Sequence, residues 1–511
     1  MKATKYSSTE EWILNELSEG RIADLTEFSA LNNSRNISSD FIEDLLTGNI
    51  KNYSIGYRGI RIANGIVKDK IELRNSLIEY EVQLTNFNFD EDIDFSETTI
   101  KRNIVLRRNL FKGRVNFSGT TATSISFENS HFHKGMDFSH AKLSGTLEAN
   151  ETQFISKENQ YSVSLNGGAF NGILIRGSVF NGAADFIRVK CYLDLDLKNT
   201  KFHNKNSKID FSGITVEGNV YLDGIQAKNT LYFRSSNIFS LQMYGSTYNY
   251  NDPNIYELNF SFASFDTEVE IIDANINILN LEYAVFSRSV IFHKINVIDK
   301  AIFSNSYYDF LALDNVKLPK GGNTILAGMK FRSISPTSNI IPNDESWGEL
   351  IDIIEYAKYS PESYTALEHF FLKTGLKDKS DNIFIKNKQR ERRERLNGGK
   401  WLGSFALDVL VRHGRNPGLV FIWGFIIIAI GYIVFHSQEV MTLQNTSLVA
   451  QVYSPFWYSL DLFIPFIDLH AANVWIPKES HAYMVVYSHI HKMLGWILVP
   501  IGLAALTGFI K

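Results

Sequence analysis

Apolar residues recur over residues 62–318 at a spacing that is typical of neither a helix nor an ordinary strand. Two interleaved series each repeat at steps of 10 or 11, and the second follows the first by five positions, as Ala122 follows Phe117 and Phe132 follows Phe127. Alternating steps of about five and six residues put one inward side chain on each side of a four-cornered coil, with about 21 residues per turn. The pattern therefore predicts a stacked β-solenoid.

The residue two places before each apolar position supports this coil. It is large in one series, as at Val115 and Met136, and small in the other, as at Ser130 and Ala141. A narrow interior at normal protein packing density cannot hold bulky side chains on neighbouring sides of one turn. We expect phenylalanines to fill much of this interior, and the core residues predicted with most support are Phe95, Phe117, Phe127, Phe138, Phe211 and Phe260.

Short motifs within the series resemble those of the bacterial pentapeptide-repeat family. The family pattern is small–(Asp/Asn)–(Leu/Phe)–(Ser/Thr)–any, and its last four places are met by NFSGT (116–120), DFSHA (137–141), DFSGI (210–214) and NFSFA (259–263). The chain departs from the first place, where Val115, Met136, Ile209 and Leu258 stand. The resemblance implies a mainly β fold, a right-handed quadrilateral β-helix over residues 59–320. It implies no activity, because function resides in sites and not in scaffolds.

The regions that flank the solenoid have helical patterns. Residues 1–58 contain STEEWILNEL (8–17) and SSDFIEDLL (38–46), two capped amphipathic segments that predict an N-terminal helical cap. The repeat is least regular at residues 155–161 and 249–256, which we predict to be loops where a protein partner binds. Residues 321–415 predict a helical linker region in which Ser360 and Pro361 begin a helix.

The helical linker region contains a basic run close to an apolar segment. Its members are Lys386, Lys388, Arg390, Arg392, Arg393 and Arg395. Basic residues immediately before a membrane segment are typical of contact with anionic lipids, so we expect membrane lipids as partners here. A solvated helix face is the alternative interpretation of the same run.

Residues 416–511 predict a membrane domain with two transmembrane helices. Residues 418–435 and 493–510 each contain 18 uncharged, mostly apolar positions, a length at the short end of the range for a span. Arg and Lys are frequent before the first segment, whereas only Lys478 and Lys492 lie in the connecting segment. The positive-inside rule then places both termini in the cytoplasm, at the bacterial inner membrane.

A third apolar stretch, residues 455–469, lies between the two predicted spans and is too short to cross a bilayer. Asp461 and Asp468 are seven residues apart and would share one helical face, but Pro465 removes the amide that would bond the Asp461 carbonyl. A flat interfacial helix is one interpretation. The other is a re-entrant, pore-lining segment in a homo-oligomer, whose carboxylates would attract cations.

Charge and composition exclude several functions. The net charge is −4, with +7 on residues 373–415 and −1 on residues 416–511, which leaves −10 on residues 1–372. Such a region is unsuited to nucleic acid, because phosphate binding needs a basic surface. Cys191 is the only cysteine, so disulfides and cysteine-clustered metal sites are excluded within one chain.

No dinucleotide, phosphate-loop, nucleophile-elbow or HExxH motif occurs in the sequence. We therefore predict no catalytic residues, no metal and no cofactor. His131 with His133 and His489 with His491 are the nearest metal-like pairs, and we interpret both pairs as ordinary surface histidines.

The C-terminal part also resembles the end of certain bacterial pentapeptide-repeat membrane proteins, through Tyr364, Gly375, the basic run, LFIPFIDL (462–469) and a Gly-Trp at 495–496. Some such proteins are labelled membrane-associated oxidoreductases. Two functions follow: a non-enzymatic, membrane-anchored protein whose solenoid binds or senses a partner and whose spans anchor it or conduct ions, and, as the alternative, a membrane-associated oxidoreductase.

Overall fold

The chain forms a β-solenoid followed by a helical unit. The computed structural model describes residues 6–32, 34–51, 53–156, 161–245, 254–338, 341–444 and 452–507. The chain divides into two units, Met1–Ser363 and Tyr364–Lys511. The predicted β-solenoid and the helical character of the C-terminal region are confirmed. Most of the two loops predicted at 155–161 and 249–256 lies outside the described residues.

The strands of the solenoid are short and number β1 to β39 in chain order. They are Ala23–Asp24, Asn36–Ile37, Ile60–Ala63, Ile66–Val67, Ile71–Glu72, Leu77–Ile78, Val82–Thr85, Asn88–Phe89, Ile93–Asp94, Thr99–Ile100, Ile104–Val105, Leu110–Phe111, Val115–Asn116, Thr121–Ala122, Ile125–Ser126, His131–Phe132, Met136–Asp137, Lys142–Glu148, Gln153–Phe154, Tyr161–Ser164, Ala169–Leu174, Val179–Phe180, Ala183–Asp185, Lys190–Cys191, Leu195–Asp196, Lys201–Phe202, Ile209–Asp210, Thr215–Tyr221, Gln226–Tyr232, Asn237–Tyr244, Ile255–Asn259, Ser264–Phe265, Val269–Ile272, Asn275–Asn280, Val285–His293, Asn296–Ile302, Tyr307–Asp314, Thr324–Ile325 and Lys330–Ser335.

These strands stack in parallel into two sheets, and the chain alternates between them in about 12 turns. Val82 pairs with Ile60 of the turn before it and with Ile104 of the turn after it, at a step of 22 residues. Many corners carry a residue with positive φ, such as Asn75 and Asn86, the residue type that tolerates this conformation best after glycine.

The Asp and Asn residues of the motifs that resemble pentapeptide repeats shape these corners. The side chains of Asn116 and Asp137 each accept the backbone N–H two residues ahead, from Ser118 at 3.0 Å and from Ser139 at 2.9 Å. This local hydrogen bond fixes a turn without help from another strand. The hydrogen bond that fixes the corner therefore accounts for the Asp or Asn at the second place of these motifs without any functional role.

Phenylalanine rings stack along the interior from one turn to the next. The centroid of Phe117 lies 4.6 Å from that of Phe95 and 4.8 Å from that of Phe138, with nearly parallel ring planes. Phe127 meets Phe117 edge-on at 5.8 Å, across the same turn. The six phenylalanines singled out in the sequence all lie inside, with 3 % or less of their surface exposed. Stacked and edge-on rings are the two favourable aromatic geometries.

The N-terminal segment closes the first turn of the solenoid. Helices α1 (Ser8–Ser18), α2 (Leu25–Asn32) and α3 (Ser39–Leu46) alternate with β1 and β2, which pair with the first coil strands through Ala23 and Asn36. The buried carboxylate of Glu10 accepts the backbone N–H of Ser7 at 2.7 Å and that of Ser38 at 3.0 Å. Burial raises the pKa of Glu10, but the hydrogen bonds from Ser38 and Ser7 outweigh it and lower the pKa overall. One carboxylate thus ties the starts of two helices together.

The helices that follow the solenoid are α4 (Asp344–Tyr356), α5 (Pro361–Lys373), α6 (Lys377–Glu394), α7 (Gly398–Val411), α8 (Leu419–Val434), α9 (Pro455–Phe463), α10 (Ala471–Val474) and α11 (Ala482–Leu506). Arg412–Gly414 and Gln438–Val440 are 3₁₀ turns, and β40 (Met441–Leu443) pairs antiparallel with β41 (Trp475–Pro477).

Of the two predicted spans, only the second corresponds to a helix that is long and apolar enough to cross a bilayer, within the residues that the structure describes. That helix, α11, begins at Ala482 and not at residue 493, because the sequence from Ala482 to Lys492 contains no helix breaker and continues the helix backward. The first predicted span is the 16-residue helix α8, which is shorter than the predicted 418–435.

The stacked core predicts that substitution of a buried phenylalanine destabilises the protein much more than substitution of an exposed one. We expect Phe117→Ala, which removes a fully buried ring, to lower the free energy of unfolding by about 3–5 kcal/mol. The matched control is Phe262→Ala, because Phe262 is 58 % exposed, and its cost should be about 1 kcal/mol or less. Urea unfolding of the detergent-solubilised chain, followed by circular dichroism, measures both. Equal midpoints for the two variants would contradict the stacked interior.

Candidate functional site

The helices α8, α9 and α11 of the C-terminal unit approach one another closely through glycines. A Cβ atom at Gly431 of α8 would lie 2.2 Å from Ser459 Oγ and 2.7 Å from His491 Cε1. A Cβ atom at Gly495 of α11 would lie 1.9 Å from the carbonyl oxygen of Phe463. Side chains larger than hydrogen are therefore excluded at both positions, and this contact brings polar groups of three helices together.

His491 is the centre of this contact and is fully buried. Its Nε2 lies 3.0 Å from the carbonyl oxygen of Ser459 and its Nδ1 lies 3.2 Å from the hydroxyl of Tyr487. A carbonyl oxygen only accepts hydrogen bonds, so Nε2 carries the hydrogen and Nδ1 accepts the Tyr487 hydroxyl. The prediction that His491 is a surface histidine is wrong. Its i, i+4 spacing from Tyr487 within an apolar helix is the sequence signal that identifies the pair.

The arrangement of Ser459 and His491 does not provide a nucleophile and base. The Ser459 hydroxyl donates to the carbonyl of Ile428 at 2.9 Å, and His491 Nε2, 3.3 Å from that hydroxyl, already carries a hydrogen. A general base needs a free lone pair toward the hydroxyl that it deprotonates. The cluster instead satisfies polar groups between apolar helices, as a low-dielectric environment requires.

The acidic residues of the segment 455–469 lie in different local structures. Helix α9 ends at Phe463, before Pro465, so Asp461 is in the last turn of the helix and Asp468 is in the following loop. Proline disfavours helical backbone in the residue before it, which explains this end. The prediction that the two carboxylates share one helical face is therefore wrong.

Asp461 is occupied by the backbone of this loop. Its carboxylate oxygens accept the N–H groups of Leu469 at 2.8 Å and Ala472 at 2.6 Å. Asp468, whose side chain is 54 % exposed, accepts the N–H of His470 and the side-chain amide of Asn473, both at 2.8 Å. Both carboxylates shape the loop that begins α10. The pore-lining role stays a prediction.

The basic run lies on α6 and at its C-terminal end. Some of its members bind other residues of the protein, and others are exposed to solvent. Arg392 pairs with the buried Asp408 of α7 at 2.9 Å, and Gln389 donates to the same carboxylate at 3.0 Å. Arg390 pairs with Glu394 at 2.8 Å and reaches the Tyr364 hydroxyl at 3.2 Å.

The other members of the run face outward to a greater extent. Lys388 pairs with Glu391 at 3.0 Å, and Lys386 is half-buried. Arg393 and Arg395 are exposed. Fewer cations of the run are therefore free of protein partners than the sequence suggests, because Arg392 and Arg390 bind neighbouring residues. The contact with anionic lipids stays a prediction.

A turn with unusual backbone geometry joins α7 to α8. Arg412, His413 and Gly414 have φ values of 50°, 54° and 87°, three left-handed residues in succession. For residues with a Cβ this conformation costs roughly 1–2 kcal/mol each. Arg415 directly after the turn pairs with Glu368 at 2.5 Å and Asp381 at 2.9 Å, so the strained turn is held from its C-terminal side.

The solenoid carries an exposed aromatic patch, which we define as Phe262, Tyr283, Val285 and Tyr307. Phe262 and Tyr283 occupy equivalent corners of successive turns and stack with their centroids 4.9 Å apart. Val285 and Tyr307 are direct partners on β35 and β37. Between 39 and 58 % of each side chain is exposed. Contiguous exposed apolar side chains are typical of interaction surfaces.

The residues that the structure describes contain no group of three or more His, Cys, Asp and Glu residues that could hold a metal ion. His131 and His133 are exposed on the solenoid, at β16 and just after it. Cys191 is buried, and burial raises the pKa of its thiol to about 12. A thiol with such a pKa is a poor nucleophile at neutral pH.

The loop role of Asp461 can be separated from a pore role by substitution. Asp461→Ala removes the acceptor of two backbone N–H groups, and we expect it to lower the stability of the C-terminal unit by about 1–3 kcal/mol. Asp468→Ala is the matched control, and because its carboxylate is mostly exposed we expect a loss of about 1 kcal/mol or less. Thermal unfolding in detergent, followed by size-exclusion elution, gives the comparison. A larger effect at Asp468 than at Asp461 would refute the loop role.

The chain matches no known protein family, no curated protein and no solved structure. Its parallel sheets nevertheless show the β-solenoid directly, and α11 has the length and composition of a membrane span. The resemblance to pentapeptide-repeat membrane proteins and the oxidoreductase label stay predictions. By its own geometry, the chain is a β-solenoid protein with a C-terminal helical unit.

Proposed function

We propose that this chain is a non-enzymatic, membrane-anchored solenoid protein that binds a partner protein. The observation that carries the proposal is the exposed apolar surface of α11. Only 22 % of an 18-residue apolar stretch within its span Ala482–Ala504 is buried within the chain, and Val486, Met493 and Leu503 are each about 60 % exposed. A surface of this kind is stable in lipid and unfavourable in water.

Helix α8 provides the second span of the proposed anchor. Sixteen residues extend about 24 Å, somewhat less than the ~30 Å hydrocarbon core. Phe421, Phe425 and Ile433 are exposed on it. A short span is accommodated by local thinning of the bilayer at modest cost. The excess of Arg and Lys before α8 then orients both termini toward the cytoplasm of a bacterial cell.

The solenoid is the binding part of the proposed protein. We assign it the right-handed, four-cornered coil of pentapeptide-repeat proteins, supported by the 22-residue step and the Asx turns at the corners. The aromatic patch is the proposed contact surface, since exposed aromatic side chains dominate binding energy at protein interfaces. The charge of −10 on residues 1–372 supports a protein partner over nucleic acid.

The chemistry of the candidate groups supports a role without catalysis. His491 and Ser459 are held by hydrogen bonds that block proton transfer between them, and Asp461 is engaged by loop amides. Ion conduction and homo-oligomerisation are therefore left out of the proposal. A coloured cofactor in the purified chain would favour the membrane-associated oxidoreductase instead.

The proposed topology is testable by cysteine labelling. Ser8→Cys and Glu439→Cys place single reactive thiols at exposed positions, at the first residue of α1 and between the spans, and the buried Cys191 makes the unaltered chain the control. In intact cells a membrane-impermeant maleimide should label position 439 and not position 8. Labelling of position 8 alone would reverse the orientation, and labelling of neither in intact cells but both after lysis would exclude the two-span anchor.

The partner surface is testable by site-specific cross-linking in cells. A photoreactive phenylalanine analogue at Phe262 should give a covalent adduct with another protein, whereas the same analogue at Ile298 should not. Ile298 is the matched control because it is 41 % exposed and lies on β36 of the other sheet. Tyr283→Ser with Tyr307→Ser should reduce the adduct several-fold, since each aromatic anchor contributes strongly. Equal adducts at both positions would contradict a specific patch.

A further inference from the structure

Helix α7 has a largely exposed apolar face, and the guanidinium of Arg392 on α6 lies over its Phe405 ring, 5.5 Å from the ring centroid. Trp401, Leu402, Phe405 and Val409 are between 38 and 62 % exposed. With 3.6 residues per turn these positions fall within an arc of about 100°. The rings of Trp401 and Phe405 stack with their centroids 5.4 Å apart.

The rest of α7 is fixed to the C-terminal unit. Val411 packs with Val420 of α8. Leu407 and Leu410 of α7 join the same cluster, as does Ile501 of α11. Asp408, buried on another side of α7, binds Arg392 and Gln389 of α6. These contacts leave the face formed by Trp401, Leu402, Phe405 and Val409 largely open.

Exposed cations lie at both ends of α7. Lys400 lies in the first turn of α7, Arg393 and Arg395 lie just before the helix, and Arg412 follows it, all exposed. Among the described residues Arg393 and Lys400 form no ion pair. Aromatic and aliphatic side chains bordered by Lys and Arg are typical of helices that lie in the interface of an anionic membrane.

The apolar face also continues into the proposed membrane anchor. Trp423 of α8 donates its indole N–H to the carbonyl of Val409 at 3.0 Å, and Phe421, Ile422 and Phe425 in the first turns of α8 are exposed beside it. The left-handed turn Arg412–Gly414 changes the chain direction between the two helices. Continuity with a lipid-facing helix and flanking positive charge both select a bilayer over a second protein.

We propose that α7 is an interfacial helix that lies in the plane of the membrane, with Trp401, Leu402, Phe405 and Val409 inserted at the headgroup boundary of an anionic leaflet. This proposal rests on the proposed membrane anchor and adds a lipid-binding surface to it. Through Asp408, α7 then holds the basic helix α6 at the membrane surface.

Spin labels on the full chain test the proposal. Single cysteines at Leu402, Phe405 and Val409 receive a nitroxide, and the chain is reconstituted in vesicles of phosphatidylethanolamine and phosphatidylglycerol. Asn382, exposed on α6, is the water control, and Ile430, exposed on α8, is the bilayer control. The three α7 labels should collide more often with oxygen than with a water-soluble nickel chelate, as the label at Ile430 should. The label at Asn382 should collide more often with the nickel chelate.

Failure of this proposal is distinguishable from failure of the anchor. Nickel access at the α7 labels with oxygen access at Ile430 would overturn the interfacial helix and leave the anchor in place. Shielding of the α7 labels from both reagents would show a protein contact and would also overturn it. Nickel access at Ile430 as well would overturn the anchor itself.

The preference of α7 for anionic lipids is tested by a separate measurement. Each cation near an anionic surface is worth about 1 kcal/mol, or about fivefold in the docked fraction. Arg393→Gln with Lys400→Gln should therefore shift the α7 labels toward nickel access in the anionic vesicles, and pure phosphatidylcholine vesicles should do the same to the unaltered chain. Labels that are insensitive to both changes would overturn the anionic part of the proposal.

Discussion

The stacking of interior side chains between successive turns is the interaction on which the solenoid depends. Adjacent parallel strands lie ~4.8 Å apart, and aromatic rings stack favourably at about that distance. Phe111 and Phe132 show the match, with centroids 4.6 Å apart and planes tilted by 14°. A phenylalanine at one turn therefore provides the contact surface for the next turn. Because each turn touches only its neighbours, the repeat must be kept along the whole solenoid.

The C-terminal unit is governed by a different constraint, the need to satisfy polar groups between apolar helices. His491, Ser459 and Tyr487 achieve this with hydrogen bonds among themselves and to the backbone. Gly431 makes the contact sterically accessible. The same requirement explains Asp461, whose carboxylate completes the loop after α9. Groups that the sequence offers as candidates for chemistry therefore serve to hold helices and a loop in place.

The proposed function unites two surfaces that have different physical characters. The aromatic patch on the solenoid consists of exposed aromatic and aliphatic side chains on successive turns, as is typical of a protein contact. The exposed face of α7 is apolar and continuous with α8, and its helix has cations at both ends, as is typical of a lipid contact. Each surface lies within one unit of the chain, so each proposal stands on local geometry.

The sequence by itself determined the β-solenoid, because a 5–6 residue step with alternating large and small neighbours is satisfied by few other folds. It also indicated the interior position of Phe117 and its equivalents, and the helical C-terminal region. Only the tertiary structure decided how polar residues are used. Arg392 faces Asp408, His491 is buried and Pro465 separates Asp461 from Asp468. Periodicity reports which side of an element is apolar, whereas the partner of a charge or a histidine depends on which helix packs against it.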